Sequence, residues 1–547
     1  MLDHLINRTN FNSYRDFYKE YAVTASDDFH FAYDVVDAWP KVQPGKRALL
    51  WCDDSGNERS FTFEDISRLS MNAAAYLSEQ GIRKGDRVMV ILKRRWEYWV
   101  TAVALHRIGA VLIPASSQLT TKDIIYRANV ANIRMIIGIC DPWVISQIEA
   151  ALPECPTVET LAMAAGERDG WLPLSRAIED HDTPFPKPEG HNAHDVLLIY
   201  FTSGTTGMPK MVVHDHSHPL GHIVTAKFWQ QVENDGLHLT MSDSGWAKFG
   251  WGNIYGQWIS GSAILGYDQE KFNAHTLIGT IRRCKPSTVC VPPTIYRFMM
   301  KEGLTREDFV SVRHCATAGE PLSPEVSKEF TRLTGLVIAE GFGQTESSVL
   351  VGNFKWFDVR PGSMGKPSPL YDIRLLDEEG NELGVGEEGE LCLCNLNESI
   401  PYGLMRGYWK DGALLPAYDD IYHTGDIVWR DEDGYLWYVG RNDDVIKCSG
   451  YRIGPFEIET VLLTHPAVHD CAITAAPDPM RGQVVKATIV LSEGFEGSPE
   501  LTKEIQSYVK KMTAPYKYPR IVEYVDALPR TTSGKISRQQ IRAAAEA

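Results

Sequence analysis

Val196-Leu197-Leu198-Ile199-Tyr200-Phe201-Thr202-Ser203-Gly204-Thr205-Thr206-Gly207-Met208-Pro209-Lys210-Met211-Val212-Val213 is the stretch on which the reading of this chain turns. Its first six residues form a short apolar run of the kind that becomes a buried strand. The next nine are small, hydroxylated or basic. Glycines let backbone N–H groups close around an anion, and successive N–H groups form an anion-binding nest. Thr202, Ser203, Thr205 and Thr206 add hydroxyl donors, and Lys210 adds a positive charge. The string is not a Walker A loop, which runs from Gly-Lys-Ser/Thr directly into a helix. Here Pro209 separates Gly207 from Lys210, and Met211-Val212-Val213 resumes a β-branched run. The loop is therefore expected to join two strands as a hairpin. Gly-Thr-Thr-Gly alone also suits an ordinary turn, but the complete string points to nucleoside triphosphate chemistry.

The chain has 547 residues, too many for one ordinary core, so at least two domains are expected. Its 44% hydrophobic and 23% charged residues are those of a globular protein. A net charge of −16 argues against general nucleic-acid binding. Anionic substrates then need local basic clusters, of which Lys93-Arg94-Arg95, Lys510-Lys511 and Lys517 with Arg520 are candidates; solvated surface charge is the plainer account of most of them. Ten cysteines form neither a zinc pattern of paired CxxC motifs nor a disulfide framework. Cys392 and Cys394 share a face if they lie on a strand. No apolar stretch reaches the ~18 residues of a membrane span, and residues 1–8 lack an apolar signal core. The expectation is a cytoplasmic monomer or homodimer with no membrane span and no nucleic-acid partner.

Short apolar runs alternate with helical patterns over roughly the first 400 residues, which predicts α/β layers. A capped helix is expected at 62–80 and another at 96–108, with strands at 87–92, 110–114, 135–139 and 196–201. Residues 155–195, richer in Pro, Asp and Glu, read as surface connection. Beyond Gly365 the pattern changes to short strands at 373–376, 390–394, 427–429 and 435–439. The last two flank Asp431-Glu432-Asp433-Gly434, a good hairpin loop. The domain boundary is placed just after it, giving a large domain of layered α/β subdomains at 1–440 and a small α+β domain at 441–547. In the latter, helices begin at Pro455 and at Ser498-Pro499, and strands cover 469–475, 486–492 and 520–525.

Five further strings carry chemistry: Thr317-Ala318-Gly319-Glu320-Pro321-Leu322; Glu340-Gly341-Phe342-Gly343-Gln344-Thr345-Glu346; Tyr422-His423-Thr424-Gly425-Asp426; Gly440-Arg441-Asn442-Asp443-Asp444 continuing to Gly454; and Pro529-Arg530-Thr531-Thr532-Ser533-Gly534-Lys535-Ile536. Together with the 202–210 loop, and in this order, they resemble the adenylate-forming enzymes, which include acyl-CoA synthetases, luciferases and peptide-synthetase adenylation domains. Gly450-Tyr451-Arg452-Ile453-Gly454-Pro455-Phe456-Glu457, Pro477-Asp478-Pro479-Met480-Arg481-Gly482 and Thr513-Ala514-Pro515-Tyr516-Lys517-Tyr518-Pro519-Arg520 are most similar to medium-chain acyl-CoA synthetases.

The resemblance implies ATP, Mg²⁺ and coenzyme A as reactants or cofactors. A carboxylate resists thiols because its leaving group would be oxide; attack on the ATP α-phosphate gives an acyl adenylate with AMP as leaving group. Both partners are anions, so the site must neutralise charge while aligning them. By resemblance, Thr202, Ser203, Gly204, Thr205, Thr206, Gly207 and Lys210 hold the β- and γ-phosphates. Thr345 contacts the α-phosphate, and Glu346 helps hold Mg²⁺, a hard cation suited to oxygen ligands. Gly319, Glu320, Pro321, Gly341, Phe342 and Gly343 line the adenine, and Glu340 and Gln344 beside them are counted among the ATP-binding residues. Asp426 accepts from the ribose hydroxyls, assisted by Arg441. Lys535 bridges the carboxylate and the α-phosphate during adenylation. Members of the family then rotate the small, mobile domain about a hinge, here Asp443, so that Ser449, Gly450 and Tyr451 border the pantetheine tunnel. Arg481, with Lys93 or Arg95 as weaker candidates, meets CoA phosphates.

Residues 245–258, Gly245-Trp246-Ala247-Lys248-Phe249-Gly250-Trp251-Gly252-Asn253-Ile254-Tyr255-Gly256-Gln257-Trp258, lie where the family builds its acyl pocket. A plain core helix is the alternative, since 251, 254, 255 and 258 would share a face. Trp246, Lys248, Trp251 and Cys290 are the candidate pocket residues, with Trp251 closing the floor and favouring short, branched or modest aromatic acids. Acylation of a separate carrier protein, and a non-catalytic nucleotide- or acyl-binding scaffold, are the competing readings. An oxygenase use and an ADP-forming carboxylate kinase have no supporting string.

Overall fold

The computed structural model describes residues 1–202, 208–448, 451–478, 481–531 and 536–546. The chain packs as two compact units, Met1–Asp372 with Asn395–Asp420, and Ile373–Cys394 with Ile421–Ala547.

The larger unit is α/β and contains two sheets. In the first, Thr160–Ala164, Met135–Ile139, Arg87–Ile91, Val111–Pro114 and Val196–Thr202 run parallel. Lys210–Asp215 and then Gly407–Lys410 add antiparallel strands beyond them. Helix Phe63–Glu79 begins at a capping box: Asp65 donates its N–H to the Thr62 hydroxyl, and Thr62 donates its N–H to the Asp65 carboxylate. Helix Trp96–Ile108 is buried on every side, its polar residues Glu97, Thr101, His106 and Arg107 included. It stops at Gly109, which takes the left-handed φ of +75°.

In the second sheet Arg47–Asp53, Ala263–Asp268, Leu237–Thr240, Thr288–Cys290, His314–Thr317 and Ile338–Phe342 run parallel. Leu239, Leu265, Val289 and Ile338 pack there against Leu277, Ile281, Tyr296 and Phe330 from the covering helices.

The expectation of surface connection across 155–195 fails in its first part. Thr160–Ala164 extends the parallel sheet, and helix Leu174–Asp180 buries Leu174 and Ile178. The longest run without helix or strand is 181–195. Glu159, Glu167 and Asp169 flank this five-residue strand and hid it, whereas Pro184, Pro186 and Pro188 do lie in 181–195.

The smaller unit is α+β. Glu388–Cys394, Tyr422–Arg430 and Leu436–Arg441 form an antiparallel ribbon. A second sheet joins Ile446–Cys448, Gly482–Leu491 and Val468–Asp478 antiparallel, with Ile521–Tyr524 parallel to the middle strand. Helices Pro455–Leu462 and Pro499–Met512 begin at prolines, the second capped by the Ser498 hydroxyl. Ile458, Ile505 and Val509 pack against Ile473, Ala487 and Ile489.

Candidate active site

The hairpin is present as expected: Thr202 and Lys210 face each other as the last pair of the ladder. Ser203, Gly204, Thr205, Thr206 and Gly207 lie outside the described residues. The exposed Lys210 ammonium stands 5.2 Å from the centre of the Tyr408 ring. Tyr408 lies on the adjoining antiparallel strand, opposite Val212, and its hydroxyl donates to Glu346 Oε1 at 3.0 Å. Thr345 is anchored from the same hairpin, its carbonyl accepting from His214 Nε2 at 2.8 Å. Burial pushes the His214 imidazole down to about 4, so it is neutral at pH 7 and acts as an N–H donor. One strand thus carries Lys210 at its mouth and the anchor of Thr345 at its fourth following residue. Tyr408 and His214 were not flagged by the sequence, since neither stands in one of the recognised strings.

The glycines of the Glu340–Glu346 string have a packing reason. A Cβ on Gly341 would stand 2.4 Å from the Trp229 ring, and one on Gly343 would stand 2.4 Å from the Trp251 ring. Phe342 is half-buried, and Gln344 donates its backbone N–H to the Ser347 hydroxyl oxygen at 3.2 Å. Glu340 is buried; Oε1 accepts the Leu322 N–H at 3.3 Å and Oε2 has no hydrogen-bond partner among the described residues. Burial pushes its carboxyl up to about 8, so it is largely protonated at pH 7. In the neighbouring string Gly319 takes a φ of +100°, and the Glu320 carboxylate accepts from both the N–H and the hydroxyl of Thr294, at 3.0 and 2.7 Å. Glu320 therefore secures the first turn of helix Pro293–Lys301, with the half-buried Pro321 beside it.

Residues 245–258 do not form one helix. Ala247–Asn253 and Tyr255–Ile259 are separate short helices, broken at Ile254 with φ −156° and ψ −70°. Gly250, Gly252 and Gly256 press the backbone against other elements. Added Cβ atoms would stand 2.5 Å from Tyr200 Oη, 2.1 Å from Thr240 Oγ1 and 2.1 Å from the His222 carbonyl oxygen. Trp251 is 5% exposed and edge-on to Trp229 at 6.2 Å. It lies against Gly343, so the 245–258 segment and the Glu340–Glu346 string share this ring. Lys248 donates to the Ala318 carbonyl at 2.6 Å, which ties its charge to the Thr317–Leu322 string. Cys290 is buried, and burial raises its thiol while the nearby Lys248 opposes the rise. Trp246 is half-buried at the start of helix Ala247–Asn253.

In the smaller unit Asp426 and Arg441 are cross-strand partners with an Oδ2–Nη1 distance of 3.0 Å. Tyr438 donates its hydroxyl to Asp426 Oδ1 at 3.1 Å, and Arg441 also donates to the Thr424 carbonyl at 2.8 Å. Gly425, at φ +73°, is required here, because a Cβ would stand 2.7 Å from the Arg441 guanidinium. Asp443 is exposed, 3.9 Å from Arg441 Nε. Tyr451 is exposed and stacks on Tyr516 at 4.1 Å. Arg481 is exposed, with its backbone N–H on Asp478 Oδ1 at 2.9 Å. Ser449, Gly450 and Lys535 lie outside the described residues. In the larger unit Lys93 is held by Asp141 at 2.7 Å and Glu270 at 2.9 Å, and Arg95 lies over the Trp51 ring at 4.5 Å. Glu97 and Asp268 also stand near the Arg95 guanidinium, at 3.5 and 3.8 Å.

Residues 36–409 match the AMP-binding enzyme family, and 457–535 match the AMP-binding enzyme C-terminal domain. The chain is 40% identical to the mitochondrial acyl-coenzyme A synthetase ACSM3 of Mus musculus, over 97% of this chain and 93% of the relative. It is 39% identical to the mitochondrial acyl-coenzyme A synthetase ACSM5 of Homo sapiens, over 94% and 90%. Among solved structures, the anthranilate CoA ligase AuaEII in complex with anthranoyl-AMP superposes with a TM-score of 0.85 at 26% identity, covering 95% of this chain and 98% of that one. A benzoate CoA ligase from Burkholderia xenovorans gives a TM-score of 0.81 at 25% identity, covering 94% and 100%. Among the described residues no helix is long and apolar enough to cross a membrane.

Proposed function

The chain belongs to the AMP-binding enzymes, and we propose that it is an ATP-dependent, AMP-forming ligase that joins a short- or medium-chain carboxylic acid, branched acids included, to coenzyme A. The observation that carries this reading is the convergence of Lys210, Tyr408, Glu346 and Thr345 at the mouth of the phosphate hairpin. A cation, a carboxylate and a threonine held by neutral partners suit a polyphosphate whose charge must be balanced while a second anion approaches.

In this proposal Thr202–Gly207 and Lys210 grip the β- and γ-phosphates and Thr345 meets the α-phosphate. The oxygen-only donor set at Glu346 suits Mg²⁺, which would supply further charge neutralisation when bound. Gly319, Glu320, Pro321 and Gly341, Phe342 and Gly343 border the adenine, Glu340 and Gln344 belong to the same ATP site, and Asp426 with Arg441 receives the ribose. Lys535 places its ammonium between the two reacting anions. The acid lies against Trp246, Lys248, Trp251 and Cys290, with Trp251 as floor. For thioester formation the 441–547 domain turns about Asp443, and Ser449, Gly450, Tyr451 and Arg481 serve coenzyme A. We read the compartment as cytoplasmic, against relatives named as mitochondrial, and cell fractionation decides between the two.

The test is product analysis by mass spectrometry with ATP, Mg²⁺, CoA and acids from acetate through branched C4–C5 acids to octanoate and benzoate. Acyl-CoA with AMP is the expected result. Adenylate without acyl-CoA would assign the acyl group to another acceptor, such as a carrier protein, and ADP would overturn the mechanism.

A further inference from the structure

We propose that Glu390, Cys392 and His423 form a binding site for a zinc-class divalent cation on the ribbon of the smaller unit, made of residues distinct from those proposed for ATP and Mg²⁺. The arrangement follows from the ladder. Cys392 and His423 are directly opposed partners, and Glu390, two residues before Cys392, shares its face. Cys392 Sγ stands 3.5 Å from His423 Nδ1, and Glu390 Oε2 stands 3.0 Å from the same nitrogen. One ligand atom from each of the three lies within 4.8 Å of the others. Bonds of about 2.3 Å to sulfur and about 2.0–2.1 Å to nitrogen and oxygen, at tetrahedral angles, separate sulfur from nitrogen by about 3.5 Å and nitrogen from oxygen by about 3.3 Å. The Cys392–His423 edge already has this length and the His423–Glu390 edge is short of its own by a few tenths of an ångström, while the third edge, from sulfur to the carboxylate, lies within 4.8 Å.

The surroundings suit a ligand set. Glu390 Oε1 accepts the Gly425 N–H at 2.7 Å, which orients the carboxylate and leaves Oε2 toward His423. Cys392 is fully buried, with Leu376 and Ile421 packed nearby, whereas the His423 side chain is 59% exposed. The ion would therefore sit at the surface with a coordination position open to water. One sulfur, one imidazole nitrogen and one carboxylate oxygen favour Zn²⁺ or Co²⁺ over Mg²⁺ or Ca²⁺, which prefer oxygen alone. A free cysteine thiol, with an ordinary pKa of about 8.5, carries a proton at pH 7. Binding exchanges that proton for the metal: the S–H bond breaks, the S–metal bond forms and one proton is released to solvent, so affinity rises with pH.

The location gives the site a consequence. Between the Glu390–Ile427 and Cys392–His423 pairs, one strand has a single residue and the other has Thr424, Gly425 and Asp426. This bulge presents Asp426, and Glu390 holds it through Gly425. An ion on Glu390 and His423 would fasten both ends of the bulge.

The full-length protein, stripped of metal and free of ATP, is titrated with Co²⁺ and then with Zn²⁺ as competitor. A single site with a thiolate-to-cobalt charge-transfer band, displaced by Zn²⁺, is expected. Cys392→Ser should abolish the band, and His423→Ala should weaken Zn²⁺ binding at least tenfold, whereas Cys394→Ser should leave both unchanged. His423→Ala alters an exposed ring and keeps the test decisive if Cys392→Ser does not fold. Absence of the band, its survival in Cys392→Ser, or unchanged affinity in His423→Ala would overturn the proposal.

Discussion

At the residue scale, three side chains make separable predictions. Trp251 packs against Gly343 and Trp229; removing the indole should deepen the acid pocket and also cost stability, about 3–5 kcal/mol for a large buried aromatic. Trp251→Gly is therefore expected to shift kcat/KM toward longer acids across a C2–C12 series, and an unchanged chain-length profile would remove Trp251 from the floor. Tyr408→Phe keeps the ring beside Lys210 and deletes only the hydroxyl on Glu346. A hydrogen bond to a charged group contributes about 1.5–3 kcal/mol, so kcat/KM for ATP should fall roughly tenfold or more at unchanged fold. Wild-type kinetics in Tyr408→Phe would separate Glu346 from the phosphate chemistry. Glu340 makes a prediction about pH. Its carboxyl moves from 4.5 to about 8 on burial, so the folded chain keeps a proton that the unfolded chain releases between these values. Stability should fall as pH rises through that window, by about 1.4 kcal/mol per pH unit at most from this group, and should level above about 8. Glu340→Gln is expected to flatten this dependence in urea unfolding at pH 5 and pH 8; an unaltered slope would show that Glu340 ionises in the folded chain.

At the element scale, the glycines separate what was legible in the sequence from what was not. The hairpin from Val196 to Asp215, the capped helix Phe63–Glu79 and the helices starting at Pro455 and Pro499 were legible because their signals are local: a period, a cap, a turn. The break at Ile254 was not. It lies among Gly250, Gly252 and Gly256, whose close neighbours Tyr200, Thr240 and His222 come from other elements. Tyr408 and His214 escaped for the same reason, since their partners Glu346 and Thr345 are remote in sequence. The strand Thr160–Ala164 was hidden by its shortness among acidic turns. Thr424-Gly425-Asp426 combines both cases, since the string was readable but the bulge that shapes it was not. Gly425→Ala tests the bulge: a side chain at φ +73° that also meets the Arg441 guanidinium should cost about 1–3 kcal/mol. Because Asp426 and Arg441 are joined across this turn, KM for ATP should rise several-fold. Altered stability with unchanged KM would mean that Asp426 does not meet the nucleotide.

At the scale of the whole molecule, the chain divides its labelled chemistry between two compact units. Lys210, Thr345 and Glu346 belong to the larger, and Asp426, Arg441 and the segment ending in Lys535 belong to the smaller. The packing division falls before Asp426, whereas the hinge read from the motifs falls at Asp443; one describes which residues share a core, and the other where a chain would bend. Two half-reactions with opposite needs explain why such a division would be used. Adenylation joins two anions and calls for an extra cation at the reacting centre, whereas thioester formation needs the sulfur of CoA to reach the acyl carbon. A lysine required for the first step has no task in the second. Lys535→Ala should therefore lower the rate of acyl-adenylate formation by a hundredfold or more, a loss on the order of 3 kcal/mol in transition-state stabilisation. The same variant, given synthetic acyl adenylate and CoA, should form thioester at close to the wild-type rate. The two rates are separable by single-turnover measurement, with adenylation followed as pyrophosphate release and thioester formation followed as acyl-CoA. Equal losses in both would mean that Lys535 serves one fixed site through the whole reaction, and the rotation about Asp443 would then lose its chemical reason.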